Sequence, residues 1–222
     1  MTNLFSIFDP STSLYLSMNW LSFLVLLFLF PSLFWSVSNR FLKLFLMLLN
    51  YIFLEFKPLM YKLPNSLMLI LCFFVFIMLN NIMGLLPYIF TATSHMSVTM
   101  MMALSLWLGM MIHGWLHNTS NLLIHLAPKG TPAVLMPFMV LIESVSNIIR
   151  PLTLSIRLAA NMIAGHLLIT LLTSVTPYTP FSILPLLLSA QFSLNLLEMA
   201  VALIQAYVFS VLITLYASES VS

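Results

Sequence analysis

Arg157 is the residue whose chemistry most needs an explanation, because it lies in one of the most apolar stretches of the chain. Placing an arginine at the centre of a bilayer costs about 2.5–3.5 kcal/mol on insertion scales. A cost of that size predicts that the guanidinium faces protein or water and has a task there. Arginine effectively never loses its proton, so it suits the role of a fixed positive charge and not that of a proton carrier.

Other polar side chains recur on the helical face that carries Arg157. At 100° per residue, five of them lie within about 40° of it: Glu143, Ser146, Arg150, Thr153 and Asn161. A second stripe near the end of the chain has spacings of seven or fourteen residues and consists of Gln191, Glu198, Gln205 and Glu219. Two long helices that each carry a polar stripe could line a hydrophilic pathway through an apolar protein.

His166 lies nine residues after Arg157 and therefore about 180° away on the same helix. It cannot serve the face of Arg157, but it could serve a second aqueous space. Histidine and carboxylates take and release protons near neutral pH when their surroundings shift their pKa values. A path that has such groups at both ends and is interrupted at an arginine is typical of a proton relay.

A purely structural interpretation of the same residues also remains open. Glu143 and Arg150 could form an ion pair between two turns of one helix. Gln191 and Gln205 could provide hydrogen bonds between helices, as amides do in membrane proteins.

The composition indicates an integral membrane protein. Hydrophobic residues make up 62% of the 222 residues and charged residues only 5%, against about 25% charged in soluble domains. A net charge of +2 is too small to suggest nucleic acid binding. The single cysteine, Cys72, supports neither a disulfide framework nor a cysteine-based metal site, and we expect it to be buried. No cofactor is expected.

Apolar segments and turn residues predict an all-α fold with about five membrane-crossing helices and one amphipathic helix at the interface. The predicted segments are a first span at 12–35, the interfacial helix at 39–57, a second span at 66–90, a third at 96–117, and two long units at 134–174 and 181–217. About 36 helical residues extend roughly 54 Å, whereas the hydrocarbon core is only about 30 Å thick. The last two helices must be tilted, bent or broken near their prolines, and we expect a long, steeply tilted hairpin.

The basic residues predict the orientation of the chain. Arg40, Lys43, Lys57 and Lys62 lie between the first and second spans, and Lys129 follows the third. With five crossings, both loops fall on one side, which the positive-inside rule assigns to the matrix or cytoplasm. The N-terminus is then outside and the C-terminus inside.

Two other classes of membrane protein are compatible with parts of the sequence. His113 and His117, spaced i,i+4, could ligate a metal or haem, as in a haem-binding or quinone-associated respiratory subunit. A self-sufficient ion channel is a second alternative. A glycine-rich phosphate loop and a supported nucleophile–base pair are both missing from the sequence, so we expect no catalysis by the chain alone.

Several motifs, in order along the chain, resemble those of the a subunits of F-type ATP synthases in their mitochondrial form. They are the stretches 81–88, 125–132 followed by Ile142-Glu143, 157–166 and 198–209. The resemblance covers nearly the whole chain and is weakest over residues 1–60.

The resemblance implies a fixed stator subunit beside a rotating c-ring of small hairpin subunits, with two offset half-channels that carry protons to and from the ring. By position, Arg157 would face the ring carboxylate, His166 and Glu198 would line the half-channel from the intermembrane space, and Glu143 would line that of the matrix. Asn161 and Gln205 would flank the arginine, and Glu219 joins the pathway as a member of the second stripe. The implied partners are the c-ring, peripheral-stalk and other Fo subunits and the lipid bilayer of the mitochondrial inner membrane.

Overall fold

The computed structural model describes residues 4–12, 16–24, 39–61, 64–117, 119–126, 132 and 135–221. Within these residues the regular elements are all helical. The α-helices are α1 (Arg40–Phe56), α2 (Pro64–Gly84), α3 (Met96–His117), α4 (Thr119–Leu126), α5 (Met136–Val175) and α6 (Leu184–Val221). Short 3-10 helices cover Leu4–Phe8, Met18–Leu21, Ala92–Ser94 and Thr176–Tyr178.

Four of the described helices are long and apolar enough to cross a membrane. These segments are Ser66–Gly84, Met96–His117, Met136–Tyr178 and Leu184–Ser218. Large apolar side chains are exposed along them, as at Phe138 (64%) and Phe192 (71%), which suits lipid and not water. The predicted class, an all-α integral membrane protein, is confirmed. Most of the predicted first span, at 12–35, lies outside the described residues.

The two long helices at the end of the chain are continuous. Helix α5 has 40 residues and α6 has 38. Pro137 and Pro185 lie in their first turns, where a missing N–H removes no helical hydrogen bond, and α5 continues through Pro151. At 1.5 Å per residue α5 extends about 60 Å, so a tilt or a bend, and not a break, must fit it to a bilayer.

The chain divides into two compact units. The first comprises Met1–Pro31, Val75–Thr99 and Arg157–Tyr207, and the second comprises Ser32–Phe74, Met100–Ile156 and Val208–Ser222.

The core of the first unit forms around the end of α2. Ile77, Leu158 and Ala206 are fully or almost fully buried there. Helix α2 ends at Gly84, short of the predicted end at residue 90, because the following residues form turns in which Tyr88 adopts a φ of 67°. The chain then returns through a buried stretch, Thr91 to Ser94, in which the Ser94 hydroxyl donates to the Thr91 carbonyl at 2.7 Å.

The second unit packs α1 by one face only. Leu42, Ile52 and Phe56 of this helix are buried, whereas Phe41 (86% exposed) and Leu44 (65%) are not. An exposed apolar face beside the exposed Lys43 suits a helix that lies in a membrane interface. The interfacial position of α1 itself stays a prediction. Cys72 of α2 is exposed, and our expectation that it is buried was therefore wrong.

Hydroxyl side chains inside the long helices bond to their own backbone. Ser and Thr donate to the carbonyl three residues earlier, as Ser144 does to Leu141 (2.8 Å), Thr153 to Arg150 (3.0 Å) and Thr214 to Val211 (2.7 Å). Each such hydroxyl is satisfied without a neighbouring helix, which removes most of the cost of placing it in an apolar environment.

Replacing Gly84 with Ala tests the packing at the end of α2. An added Cβ would lie 2.9 Å from Thr91 Cγ2 and 3.1 Å from Met162 Cε. Thr91 is buried and its hydroxyl donates to Ser94 at 3.1 Å, so it cannot swing aside freely. We expect Gly84→Ala to lower the free energy of unfolding by about 1–3 kcal/mol, measured by thermal denaturation in detergent. The control is Gly109→Ala in α3, where a Cβ meets nothing within 4 Å; equal midpoints for both variants would contradict the expectation.

Candidate functional site

Glu198 is a buried carboxyl group in the first unit. It lies on α6, its side chain is 9% exposed, and neither Oε1 nor Oε2 has a hydrogen-bond partner among the described residues. The facing residue on α5 is Gly165, where a Cβ would lie 3.0 Å from Glu198 Cδ and Oε1. The absence of a side chain at Gly165 therefore makes the room for this carboxyl. A buried carboxyl without partners is costly, which favours a functional role.

A small cavity adjoins this carboxyl. It measures about 20 Å³, and its lining includes Asn81, Leu158, Asn161, Gly165, Glu198 and Gln205. A cavity of this size has room for one water molecule. Asn81 is 1% exposed, and its Oδ1 has no partner among the described residues, while its Nδ2 donates weakly to the Ala202 carbonyl at 3.5 Å. Unpaired acceptors thus line the cavity, and a donor such as water or a proton on the carboxyl would satisfy them.

Asn161 and Gln205 join α5 to α6 beside the cavity. Asn161 Nδ2 donates a hydrogen bond to Gln205 Oε1 at 3.1 Å. Gln205 is buried and Asn161 is exposed. The sequence placed these two amides on different stripes, and the structure brings them together.

His166 follows Gly165 on α5 and is half-buried. Its Nε2 is buried and has no hydrogen-bond partner among the described residues. The ring of Phe8 stands nearly perpendicular to the imidazole, with 6.4 Å between the ring centroids. The imidazole therefore has an aromatic neighbour and an unused nitrogen.

Arg157 is exposed, on the side of α5 that its own chain does not cover. The buried face of the same helix carries Leu154, Leu158 and Met162, whereas Thr153 and Asn161 share the exposed face with Arg157. Among the described residues, no side chain forms a salt bridge or hydrogen bond with the guanidinium. A cation left unpaired on an apolar helix needs water or another protein as its partner.

Glu143 and Arg150 form the ion pair that the sequence left open. In the second unit, Arg150 Nη2 lies 3.3 Å from Glu143 Oε1, and the Arg150 guanidinium lies 4.9 Å from the centre of the Tyr216 ring. Both charged side chains are partly exposed. The pair gives Glu143 a structural partner, while its predicted place on a proton pathway stays a prediction.

The remaining candidates contribute less. Gln191 is half-buried on α6, and the side chain of Glu219 lies outside the described residues. The rings of His113 and His117 are in contact, with centroids 4.5 Å apart. The described residues contain no group of three side chains that could hold a metal ion.

Sequence reasoning missed Asn81 and Gly165 as parts of the site. Asn81 was noted only within a motif, although an amide near the end of an apolar helix is a signal in itself. Gly165 carries no polar group, and only the packing of α5 against α6 shows that Glu198 occupies the space a larger residue would fill.

The fold and the site define a multi-pass α-helical membrane protein with a buried carboxyl and an unpaired arginine. The family described as ATP synthase A chain matches residues 16–218. ATP synthase subunit a is 51% identical in Drosophila mauritiana over 221 residues, 52% in Anopheles gambiae over 223 and 52% in Locusta migratoria over 222, with 99% of both chains covered in each comparison. The chain therefore belongs to the ATP synthase A chain family, and it serves proton transport and ATP synthesis in the membrane sector of that complex.

Replacing Gly165 with Ala tests the position of the buried carboxyl. The new Cβ would meet the end of the flexible Glu198 side chain, so the carboxyl should shift while the protein still folds. We expect proton transport to fall severalfold or more, since misplacing a positioned group by about 1 Å can cost on the order of 100-fold in rate. Transport is measured in vesicles that contain the assembled complex, with Gly109→Ala as the control. An unchanged rate in Gly165→Ala would show that the position of Glu198 does not matter.

Proposed function

We propose that the chain is the stator proton-channel subunit of ATP synthase and that Arg157 faces the c-ring. The observation that carries this proposal is the contrast between Arg157, exposed without a partner among the described residues, and Glu198, which is buried. A ring of small hairpin subunits with a carboxylate on each would supply both the missing anion and a cover for the exposed face of α5.

Two offset half-channels would prevent protons from crossing the membrane without travelling on the ring. Each elementary charge that crosses 100 mV carries about 2.3 kcal/mol, and a continuous water path would dissipate that energy as leak. Offset half-channels force each proton to travel on the ring between them. The fixed charge of Arg157 favours the ionised ring carboxylate as it passes, so the proton must be released before the carboxylate reaches the arginine.

The candidate residues divide between the two half-channels by position. His166 and Glu198 would line the path from the intermembrane space, with the small cavity beside Glu198 as one step along it. Glu143 would line the path to the matrix. Glu219 would belong to the proton pathway as a member of the second stripe. The hydrogen bond between Asn161 and Gln205 supports the flanking role assigned to these two residues, because it fixes amides beside the arginine face.

The remaining assignments follow from the same proposal. The chain would lie in the mitochondrial inner membrane, with its N-terminus on the intermembrane-space side and its C-terminus in the matrix. Its partners would be the c-ring, the peripheral stalk and other Fo subunits. The complex, and not this chain alone, would be the enzyme.

Replacing Arg157 tests the proposed gate. Arg157→Ala should reduce ATP synthesis driven by a proton gradient to background, because no fixed charge would remain to promote release from the ring. Arg157→Lys should support little synthesis, since an ammonium that the ring covers and removes from water can lose its proton. The measurement is ATP synthesis in vesicles with confirmed assembly, and Arg40→Ala, an exposed arginine of α1, is the control. Normal synthesis in an assembled Arg157→Ala complex would refute the assignment.

Cysteine crosslinking tests which face of α5 meets the ring. Cys72 is exposed and is first changed to Ser. Cysteines at the exposed positions Thr153 and Asn161 should then crosslink to a ring subunit, whereas a cysteine at Leu158, which is 1% exposed, should not. Absence of ring crosslinks at both exposed positions, or equal crosslinking at all three, would contradict the proposed face.

A further inference from the structure

The N-terminal 3-10 helix, Leu4–Phe8, places one aromatic side chain against His166. The Phe8 ring lies 6.4 Å from the imidazole, centroid to centroid, at an interplanar angle of 83°, which is an edge-to-face contact. Phe8 is half-buried, whereas Phe5 and Ile7 of the same helix are 67% and 45% exposed. The helix therefore turns Phe8, and not Phe5 or Ile7, toward the protein.

Local hydrogen bonds hold Phe8 in this place. The Asp9 carboxylate accepts from the Ser11 backbone N–H at 3.1 Å and from the Ser11 hydroxyl at 2.8 Å. Asn19 Nδ2 donates to the Asp9 carbonyl at 3.1 Å, and the Ser22 hydroxyl donates to the Phe90 carbonyl at 3.0 Å. The segment that carries Phe8 is thus tied both to itself and to the turn before α3.

The strength of the two hydrogen bonds that Ser11 donates to Asp9 depends on pH, because it depends on the charge of the Asp9 carboxyl. They hold the pKa of Asp9 below its ordinary value, with the backbone N–H as the larger cause. A carboxyl whose pKa is lowered in the folded state stabilises that state fully above its unfolded-state pKa. This stabilisation is lost as the pH falls through the folded-state pKa. Near neutral pH the tether beside Phe8 is therefore intact.

The surroundings of His166 explain why such a contact matters. Its Nε2 is buried and has no partner among the described residues, so no hydrogen bond at that atom fixes the ring. Besides His166, the charged and titratable side chains among the described residues of the first unit are Asp9, Tyr88, His95, Arg157, Tyr178, Glu198 and Tyr207. Glu198 on α6 occupies the space beside the neighbouring Gly165. The phenylalanine ring has no proton to exchange, and a ring in contact with the imidazole occupies space that water or another orientation of the imidazole would otherwise take.

We propose that Phe8 is a positioning residue of the proton pathway, which holds the imidazole of His166 in place and limits the access of water to it. The inference rests on the proposed function, because it requires that His166 carries protons. It adds the N-terminal segment to a pathway otherwise assigned to the two long helices.

The first experiment measures ATP-driven proton pumping across a pH series in vesicles that contain the assembled complex. Phe8→Ala should displace the pH profile by up to about 1 unit, the largest shift that an aromatic pair contact can cause when it favours one protonation state of the imidazole. Phe5→Ala, on the exposed side of the same 3-10 helix, should leave the profile in place. Phe8→Leu keeps most of the apolar volume for assembly and should displace the profile less.

The second experiment measures the access of water directly. In a Cys72→Ser background, a cysteine at His166 should react with a water-soluble thiol reagent severalfold faster when Phe8 is Ala than when it is Phe, and Phe5→Ala should not change the rate. Equal pH profiles and equal labelling rates in every Phe8 variant that assembles would overturn the inference. His166→Ala separates the two proposals: unchanged pumping in that variant refutes the role of His166 itself, whereas slowed pumping with inert Phe8 variants refutes only the role of Phe8.

Discussion

A polar side chain inside an apolar helix has to find a partner within the protein or face water or another subunit, because hydrocarbon offers it no hydrogen bond. The polar side chains among the described residues find a partner in three ways. Serines and threonines bond to their own helix, as Ser155 does to Leu152. Asn161 and Gln205 bond to each other across two helices, and Glu143 pairs with Arg150. Both Glu198 oxygens and the Nε2 of His166 have no such partner among the described residues, as is also true of a few other atoms such as Asn81 Oδ1 and His113 Nδ1. Arg157 is exposed and has no side-chain partner among the same residues.

This division distinguishes polar groups whose burial cost is met by a partner from those whose burial cost is not. A satisfied group can still take part in function, as proposed for Glu143, Asn161 and Gln205. Under the proposed function, the unsatisfied groups gain a partner from a proton, a water molecule or a ring carboxylate. Arg157 and Glu198 differ in the direction they face, since the former is exposed and the latter is buried. The proposed division of labour between the ring face and the half-channel depends on this difference.

Composition and periodicity predict the long helices and the polar stripes, because long apolar segments satisfy their backbone hydrogen bonds in lipid by forming helices. The same reasoning located Arg157, His166 and Glu198. It could not predict the turn at Tyr88, where a non-glycine residue adopts a positive φ, or the exposure of Cys72. It also could not predict the contact of Phe8 with His166, since that contact joins residues far apart in sequence. Gly165 is the clearest example, because it contributes to the site only by lacking a side chain where Glu198 lies.

The hydroxyl bonds inside the helices bear on how the protein is made. A serine or threonine that donates to its own helix needs no neighbour, so a helix such as α3, with Ser105 bonded to Met102, can enter the bilayer by itself as it leaves the ribosome. Asn161 and Gln205 are different, because each is the other's partner. Helix α5 would therefore hold an unpaired amide until α6 has been synthesised and has joined it. The hydrogen bond between these two amides can therefore form only late, when both of the last two helices have been made and have come together.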